Sequence, residues 1–219
     1  MASRKTKTEA EALEMYRVSL DNAGTQPQIA TIMAEFGYDA QTIARGKTLL
    51  NETRQTYAAN KTEDDETSAA HATFTALRNQ LEDTYSLHRK KAKVIFRNDP
   101  LILDKLLVAG SLPKAYVKWL ETIRKFYSVT IADTELQGRL ARLKIEPADL
   151  NAAQTLINSL EAARADYLRE KGESQDYTKL KDDAFAKLDD WMRDFYSVAK
   201  IALSDRPQLL ESLGKHVGQ

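Results

Sequence analysis

The sequence contains an internal repeat, and a repeat constrains a fold more than any single motif does. When the chain is compared with itself at an offset of 107 residues, similar residues align without a gap. Thr-Leu-Leu-Asn at 48–51 falls on Thr-Leu-Ile-Asn at 155–158, and Pro100 falls on Pro207. A constant register that includes a proline and an asparagine is hard to obtain by chance. The repeat predicts two pseudo-equivalent halves, residues 1–110 and 111–219, packed as one compact domain.

Hydrophobic residues recur every three to four positions along most of the chain, as they do on one face of an α-helix. The clearest stripe consists of Tyr177, Leu180, Ala184, Leu188, Trp191, Phe195, Val198 and Ala202. Its spacing is close to a heptad repeat. No sustained alternation of apolar and polar residues is bounded by turn dipeptides, so we expect no β-sheet. The sequence therefore predicts an all-α fold.

Two segments are expected to interrupt the longest helical stretches. One is the acidic segment from Lys61 to Thr67, and the other is the break near Lys171-Gly172. Helices joined by short connections usually pack as antiparallel neighbours. We therefore expect one helical hairpin in each half and an antiparallel up-down bundle built from both hairpins.

The composition narrows the classes of function. The absence of cysteine excludes disulfides, thiolate metal sites and a cysteine nucleophile, and is typical of a reducing compartment. Thirty-two Lys and Arg balance thirty-two Asp and Glu, so no net field attracts nucleic acid or a membrane surface. Residues 1–7 are basic and are not followed by an apolar segment. We expect a cytoplasmic protein that does not enter the membrane.

No well-marked catalytic or metal-binding motif is present. A di-metal carboxylate bundle requires Glu-x-x-His, but none of His71, His88 and His216 follows a glutamate by three residues. Glycine-rich nucleotide loops and Gly-x-Ser-x-Gly are also absent. We expect no metal, no cofactor and no assignable catalytic residue. Enzymatic activity stays open, with a non-catalytic role favoured.

His88 is the histidine best placed to contact a ligand. It lies on an apolar stripe and aligns with Phe195 at the repeat offset, so we expect it to point partly inward. One interpretation is a ligand-binding, acid–base or pH-sensing imidazole. The other, which we favour, is a structural histidine at the edge of the core. The tyrosines predicted to contribute to a ligand site are Tyr85, Tyr127 and Tyr196.

A basic run follows His88 along the same predicted helix. Its cations are Arg89, Lys90, Lys91, Lys93 and Arg97. Clustered cations can bind phosphate, but successive residues turn by about 100°, so these charges spread around the helix. We interpret the run as a solvated helix face near a C-terminus, where cations favour the helix dipole. Nucleic-acid binding is not expected.

The predicted function is that of a non-catalytic helical-bundle protein acting through protein contacts or self-association, with a protein partner or as a homodimer. The alternative is a bundle that binds a small ligand or a metal in its core or between the two halves. In that alternative His88 and the three tyrosines supply the polar contacts.

Overall fold

The structure, a computed structural model, describes residues 7–214. Within this range all regular elements are helices and no strand is present, which confirms the all-α prediction. The elements are α1 (Glu9–Thr25), α2 (Pro27–Glu35), α3 (Ala40–Ile95), α4 (Pro100–Lys105), α5 (Tyr116–Ala132), α6 (Thr134–Ala141), α7 (Pro147–Ala202) and α8 (Gln208–Glu211). None of these helices is both long and apolar enough to cross a membrane.

Local sequence signals account for where the helices begin. Thr8 caps α1: its hydroxyl accepts from the backbone N–H of Glu11 at 3.2 Å, and the Glu11 carboxylate accepts from the backbone N–H of Thr8 at 2.8 Å. This reciprocal capping box satisfies two N–H groups that the helix cannot. Prolines stand in the first turn of three helices, where a missing N–H removes no helical hydrogen bond. They are Pro27, Pro100 and Pro147.

The helices α3 and α7 are each 56 residues long, and they correct the prediction of helical hairpins. The segment from Lys61 to Thr67 lies inside α3, and Lys171-Gly172 lies inside α7. The first segment contains neither glycine nor proline, and most of its side chains are exposed. A single glycine in a helix interior costs only about 1 kcal/mol relative to alanine. Neither segment is therefore a helix breaker, and the expected turn was wrong in both halves.

The chain folds into two compact units, which do not coincide with the sequence halves. Of the described residues, the first unit contains 7–65 and 172–214, and the second unit contains 66–171. Each unit thus combines a segment of α3 with a segment of α7. The first unit adds α1, α2 and α8, and the second adds α4, α5 and α6. Both units draw on residues before and after position 110.

The first unit has its own apolar core, within which the two long-helix segments run antiparallel. Thr53 on α3 donates to the carbonyl oxygen of Ala184 on α7 at 3.3 Å. Further along α3, the side chain of Asn60 donates to the Thr178 hydroxyl at 3.2 Å, earlier on α7. The fully buried core residues are Leu20, Ile29, Met33, Leu188, Phe195, Ala199 and Leu213.

The second unit has a separate core with the same antiparallel pairing. The Thr67 hydroxyl donates to the carbonyl oxygen of Glu170 at 3.1 Å, and one to two turns later the Phe74 ring stacks on Tyr167 with centroids 6.1 Å apart. The fully buried core residues are Leu81, Tyr85, Ala92, Phe96, Leu106, Val108, Ile123, Phe126, Tyr127, Leu140, Ile145, Leu150, Ile157 and Leu160.

Candidate functional site

A groove in the second unit brings polar side chains of α3 and α7 together. From α3 come Gln80, Thr84 and His88, which are spaced by four residues and so lie on one side of the helix. The facing stripe of α7 runs from Asp149 to Ser159. The groove has a volume of about 320 Å³, at the lower end of the range for small-molecule sites. Its other lining residues are Ala152, Ala153, Thr155 and Leu156.

His88 is the buried polar residue at one end of this groove. Its side chain is only 6% exposed, and Nδ1 lies 3.0 Å from the hydroxyl oxygen of Tyr127 on α5. Burial lowers the pKa of His88 below 6.5, Lys91 lowers it further, and the negative charge of Asp149 partly opposes the shift. The imidazole is therefore mainly neutral near pH 7.

The hydrogen bond to Tyr127 determines which ring nitrogen of His88 can serve the groove. Tyr127 is fully buried, and within residues 7–214 His88 is the only partner of its hydroxyl group. A buried hydroxyl hydrogen needs an acceptor, so Tyr127 donates to Nδ1 of the neutral ring. The ring proton then resides on Nε2. His88 thus offers the groove one N–H donor.

Tyr85 and Tyr127 lie behind His88 and do not line the groove. Both side chains are fully buried, and their ring centroids are 6.2 Å apart in an edge-to-face arrangement. Burial raises the pKa of each phenol, and Arg89 partly opposes the shift at Tyr85. Both tyrosines are therefore neutral at physiological pH; Tyr127 contacts His88 directly, and Tyr85 packs against Tyr127.

Tyr196 does not join the other predicted site residues, because it belongs to the first unit. Its hydroxyl oxygen lies 2.6 Å from the hydroxyl oxygen of Ser19, and its side chain is 6% exposed. It borders a different cavity of about 380 Å³, where Tyr16 donates to Asp189 at 2.8 Å. The structure thus groups three of the four predicted residues and separates the fourth.

The predicted basic run is divided among several environments. Arg89 is half-buried and donates to the carbonyl oxygens of Val108 and Gly110 in the linker before α5. Lys91 donates to the carbonyl oxygen of Lys144 at 3.3 Å. The other three cations are exposed. Two members therefore hold backbone segments, and the five do not form one continuous cationic surface.

Sequence reasoning predicted only His88 among the residues that line the groove, and it missed five polar ones: Gln80, Thr84, Asp149, Thr155 and Ser159. The spacing of four between Gln80, Thr84 and His88 was a detectable signal, because it predicts a common helix face. Asp149 carried no such signal. Its carboxylate accepts from the backbone N–H of Glu146 at 2.9 Å. Asp149 therefore looks like an ordinary acidic residue in the first turn of α7.

The donor set of the groove suits hydrogen bonding to an organic ligand. Within the described residues His88 belongs to no group of three side chains that could hold a metal ion. His71 is exposed, with its ring centroid 4.9 Å from that of Tyr167, and His216 lies outside the described residues. The groove offers donors at His88 and Gln80, acceptors at Asp149, and the hydroxyl groups of Thr84, Thr155 and Ser159.

Comparison with known proteins does not assign the chain to a family. No protein-family model, no curated protein and no solved structure matches the chain.

Proposed function

We propose that this protein binds a small organic molecule in the groove next to His88. The observation that carries the proposal is the buried His88–Tyr127 pair at the edge of a cavity lined by α3 and α7. A neutral imidazole with one free N–H is a directional donor, and Asp149 supplies negative charge in the same cavity. Small-molecule sites commonly combine apolar walls with a few such polar groups.

A comparison between the two units supports a functional reason for this polar pair. At the 107-residue offset, His88 and Tyr127 correspond to Phe195 and Leu20, which are both fully buried in the first unit. A buried hydrogen bond contributes a net of only about 1 kcal/mol, because both groups must first lose their bonds to water. The second unit thus holds a hydrogen-bonded pair at positions where the first unit holds an apolar pair.

A fragment screen by NMR tests this proposal. The methyl groups of Ala152 and Ala153 are labelled, since both residues line the groove. We expect some ring-containing fragments to shift these methyl signals in the full-length protein. The matched control is His88→Leu with Tyr127→Leu, which removes the imidazole N–H and its aromatic surface together. Fragments that bind equally well to this variant, or that shift only signals outside the groove, would contradict the proposal.

We infer that the two sequence halves arose by duplication. Two observations support this. The bounds of α5 and α7 lie 107 residues after those of α1 and α3 at both ends. Positive φ angles also recur at this offset, at Gly37 and Lys144 and again at Leu107 and Gly214.

We also propose that each unit is an antiparallel up-down bundle, built from helices of both sequence halves. A crystal structure in which the two sets of helices superimpose would support both inferences. Sets that differ in path would contradict them.

Protein contacts or self-association form a second candidate function. Leu87 and Val94 are 52% and 61% exposed and lie seven residues apart on α3, so they share one helix face. Such a face favours a helical partner or a second copy of the chain.

Mass measurement by light scattering tests this second candidate with Leu87→Glu and Val94→Glu. A mass above that of the monomer that falls in the double variant supports a homodimer. A strict monomer that captures no protein partner contradicts the candidate.

A cytoplasmic location remains a prediction from the absence of cysteine. Cell fractionation tests it.

A further inference from the structure

The cavity of the second unit has a filled counterpart in the first unit. At the 107-residue offset, Thr84 corresponds to Trp191, and Ala153 corresponds to Gly46. In the first unit, the six-membered ring of Trp191 occupies the space directly above Gly46. In the second unit, Thr84 and Ala153 both line the open groove. The open groove of the second unit therefore lies where the first unit holds an indole ring, with the methyl group of Ala153 lining it.

The way Trp191 is held shows which ligand shape this space accepts. Its ring lies nearly parallel to that of Phe195, at an interplanar angle of 11° and with centroids 5.6 Å apart. Tyr38 meets the indole edge-on, also at 5.6 Å. The space between the two long helices thus accommodates a flat bicyclic ring stacked on the side chain at position 195. His88 occupies the corresponding position in the second unit.

The polar groups of the groove indicate which charge its ligand should carry. Among the described residues Asp149 is the only charged one that lines it, and its counterpart in the first unit is the neutral Thr42. The Thr84 hydroxyl donates to the carbonyl oxygen of Gln80 at 2.8 Å, which leaves its lone pairs free to accept. The groove therefore favours a ligand that donates hydrogen bonds and carries positive charge.

We propose that the groove binds an aromatic amine of indole size, with its ring stacked on His88 and its ammonium group near Asp149. This inference rests on the proposed function, because it names the chemical class of the ligand for the same site. The untethered ring lies between α3 and α7 as Trp191 does in the first unit, but further from α7 because of the Ala153 methyl group, and the amine interacts with a carboxylate that the first unit lacks. Stacking on an aromatic face and a charge-assisted hydrogen bond act together.

Calorimetry with three probes tests the ligand class on the full-length protein. The probes are tryptamine, indole, which lacks the amine, and cyclohexylethylamine, which lacks the aromatic ring. We expect tryptamine to bind at least tenfold more tightly than either of the others. In the wild-type chain, tryptamine should shift the methyl signals of Ala153 and Leu156, which places it in the groove independently of any variant.

The decisive variant is Thr84→Trp with Ala153→Gly, which introduces the filled arrangement of the first unit into the second. Its indole should occupy the groove, so tryptamine binding should fall at least tenfold while the thermal midpoint does not fall. Thr73→Trp is the matched control, because Thr73 is exposed on the same helix and does not line the groove. This control should bind tryptamine as the wild type does.

Four results would overturn the inference. Unchanged tryptamine binding in the filled variant would place the site elsewhere. Equal binding of cyclohexylethylamine and tryptamine, lost in the filled variant, would remove the aromatic requirement while leaving the proposed function intact. Failure of all three probes, with other fragments still shifting the Ala152 and Ala153 signals, would refute the ligand class alone. Failure of every fragment would refute the proposed function as well.

Discussion

Gly46 lies directly against the indole ring of Trp191. A Cβ atom at position 46 would be 2.9 Å from Cζ2 of Trp191 and closer still to two other ring carbons. The absence of a side chain at Gly46 therefore lets α3 and α7 enclose the indole within the first unit. The φ angle of Gly46 is not positive, so the backbone conformation does not require glycine there. Glycine is required by the close approach of the indole ring.

Gly46→Ala should lower the free energy of unfolding by about 1–3 kcal/mol, because the added methyl group must displace the Trp191 ring. This cost outweighs the helix propensity gained, which is about 0.5–1 kcal/mol. Urea denaturation followed by circular dichroism measures the change. The control is Gly138→Ala in α6, where a Cβ atom would meet no described residue within 4 Å, so it should stabilise the protein. Equal effects of the two substitutions would contradict the packing described for Trp191.

Ser19→Ala should destabilise the protein by about 1–3 kcal/mol, because it removes a buried polar group that several partners need. The Ser19 hydroxyl is fully buried and lies 2.6 Å from the Tyr196 hydroxyl and 2.8 Å from the carbonyl oxygen of Leu213. Thermal unfolding measures the loss. Ser197→Ala, at an exposed position on α7, should stay within about 0.5 kcal/mol of wild type. A similarly small effect at Ser19 would show that its hydroxyl group is dispensable.

His88 should make stability depend on pH below about 6.5, its pKa in the unfolded chain. Burial lowers the folded-state pKa, so between the two pKa values the unfolded chain binds more protons. The stability contribution is thus fully present above the unfolded pKa and decreases as pH falls towards the folded pKa. The groups facing the ring are Tyr127, Asp149 and Lys91, of which only Asp149 opposes the shift.

Unfolding free energies at about pH 7.5 and about pH 5.5 measure this dependence, since most carboxylates stay ionised in that window. His88→Phe with Tyr127→Leu should reduce the difference between the two pH values. His71→Gln, at an exposed site, should leave it unchanged. A pH dependence that persists in the double variant would assign it to other groups.

Cleavage between Gly110 and Ser111 should leave the two fragments associated, because each core contains residues from both sides of the cut. In the second unit, Phe96 and Leu106 share a core with Ile123 and Leu160. In the first unit, the core combines residues from α1, α2 and α3 with residues from α7 onwards. Both residues at the cut are exposed. A protease site inserted there, followed by size-exclusion chromatography, measures the association. Fragments that separate without denaturant would contradict the assignment of the units.

Much of the helical organisation could be predicted from short stretches of sequence. A proline is tolerated in the first turn of a helix, and α2, α4, α7 and α8 begin at or next to the prolines at 27, 100, 147 and 207. The expected turns at Lys61–Thr67 and at Gly172 were wrong, because acidic side chains and a lone glycine are tolerated in a helix that tertiary packing stabilises.

The candidate site was predictable only in part. His88 was expected to point inward because it lies on an apolar stripe, and it is buried. Its hydrogen bond to Tyr127 and its proximity to Asp149 join three helices that are far apart in sequence. Helical periodicity shows which face of a helix is buried, but not which helix covers that face.

The sequence by itself determined the all-helical fold and most helix starts, because caps, prolines and apolar periodicity act over a few neighbouring residues. It also contained the 107-residue register of similar residues. Only the tertiary structure decided that α3 and α7 stay continuous, that each unit combines residues from both halves, and that Trp191 packs over Gly46 while the groove beside His88 is open. These features depend on packing between residues about a hundred positions apart, where the size and shape of each side chain matter only in relation to its neighbours in space.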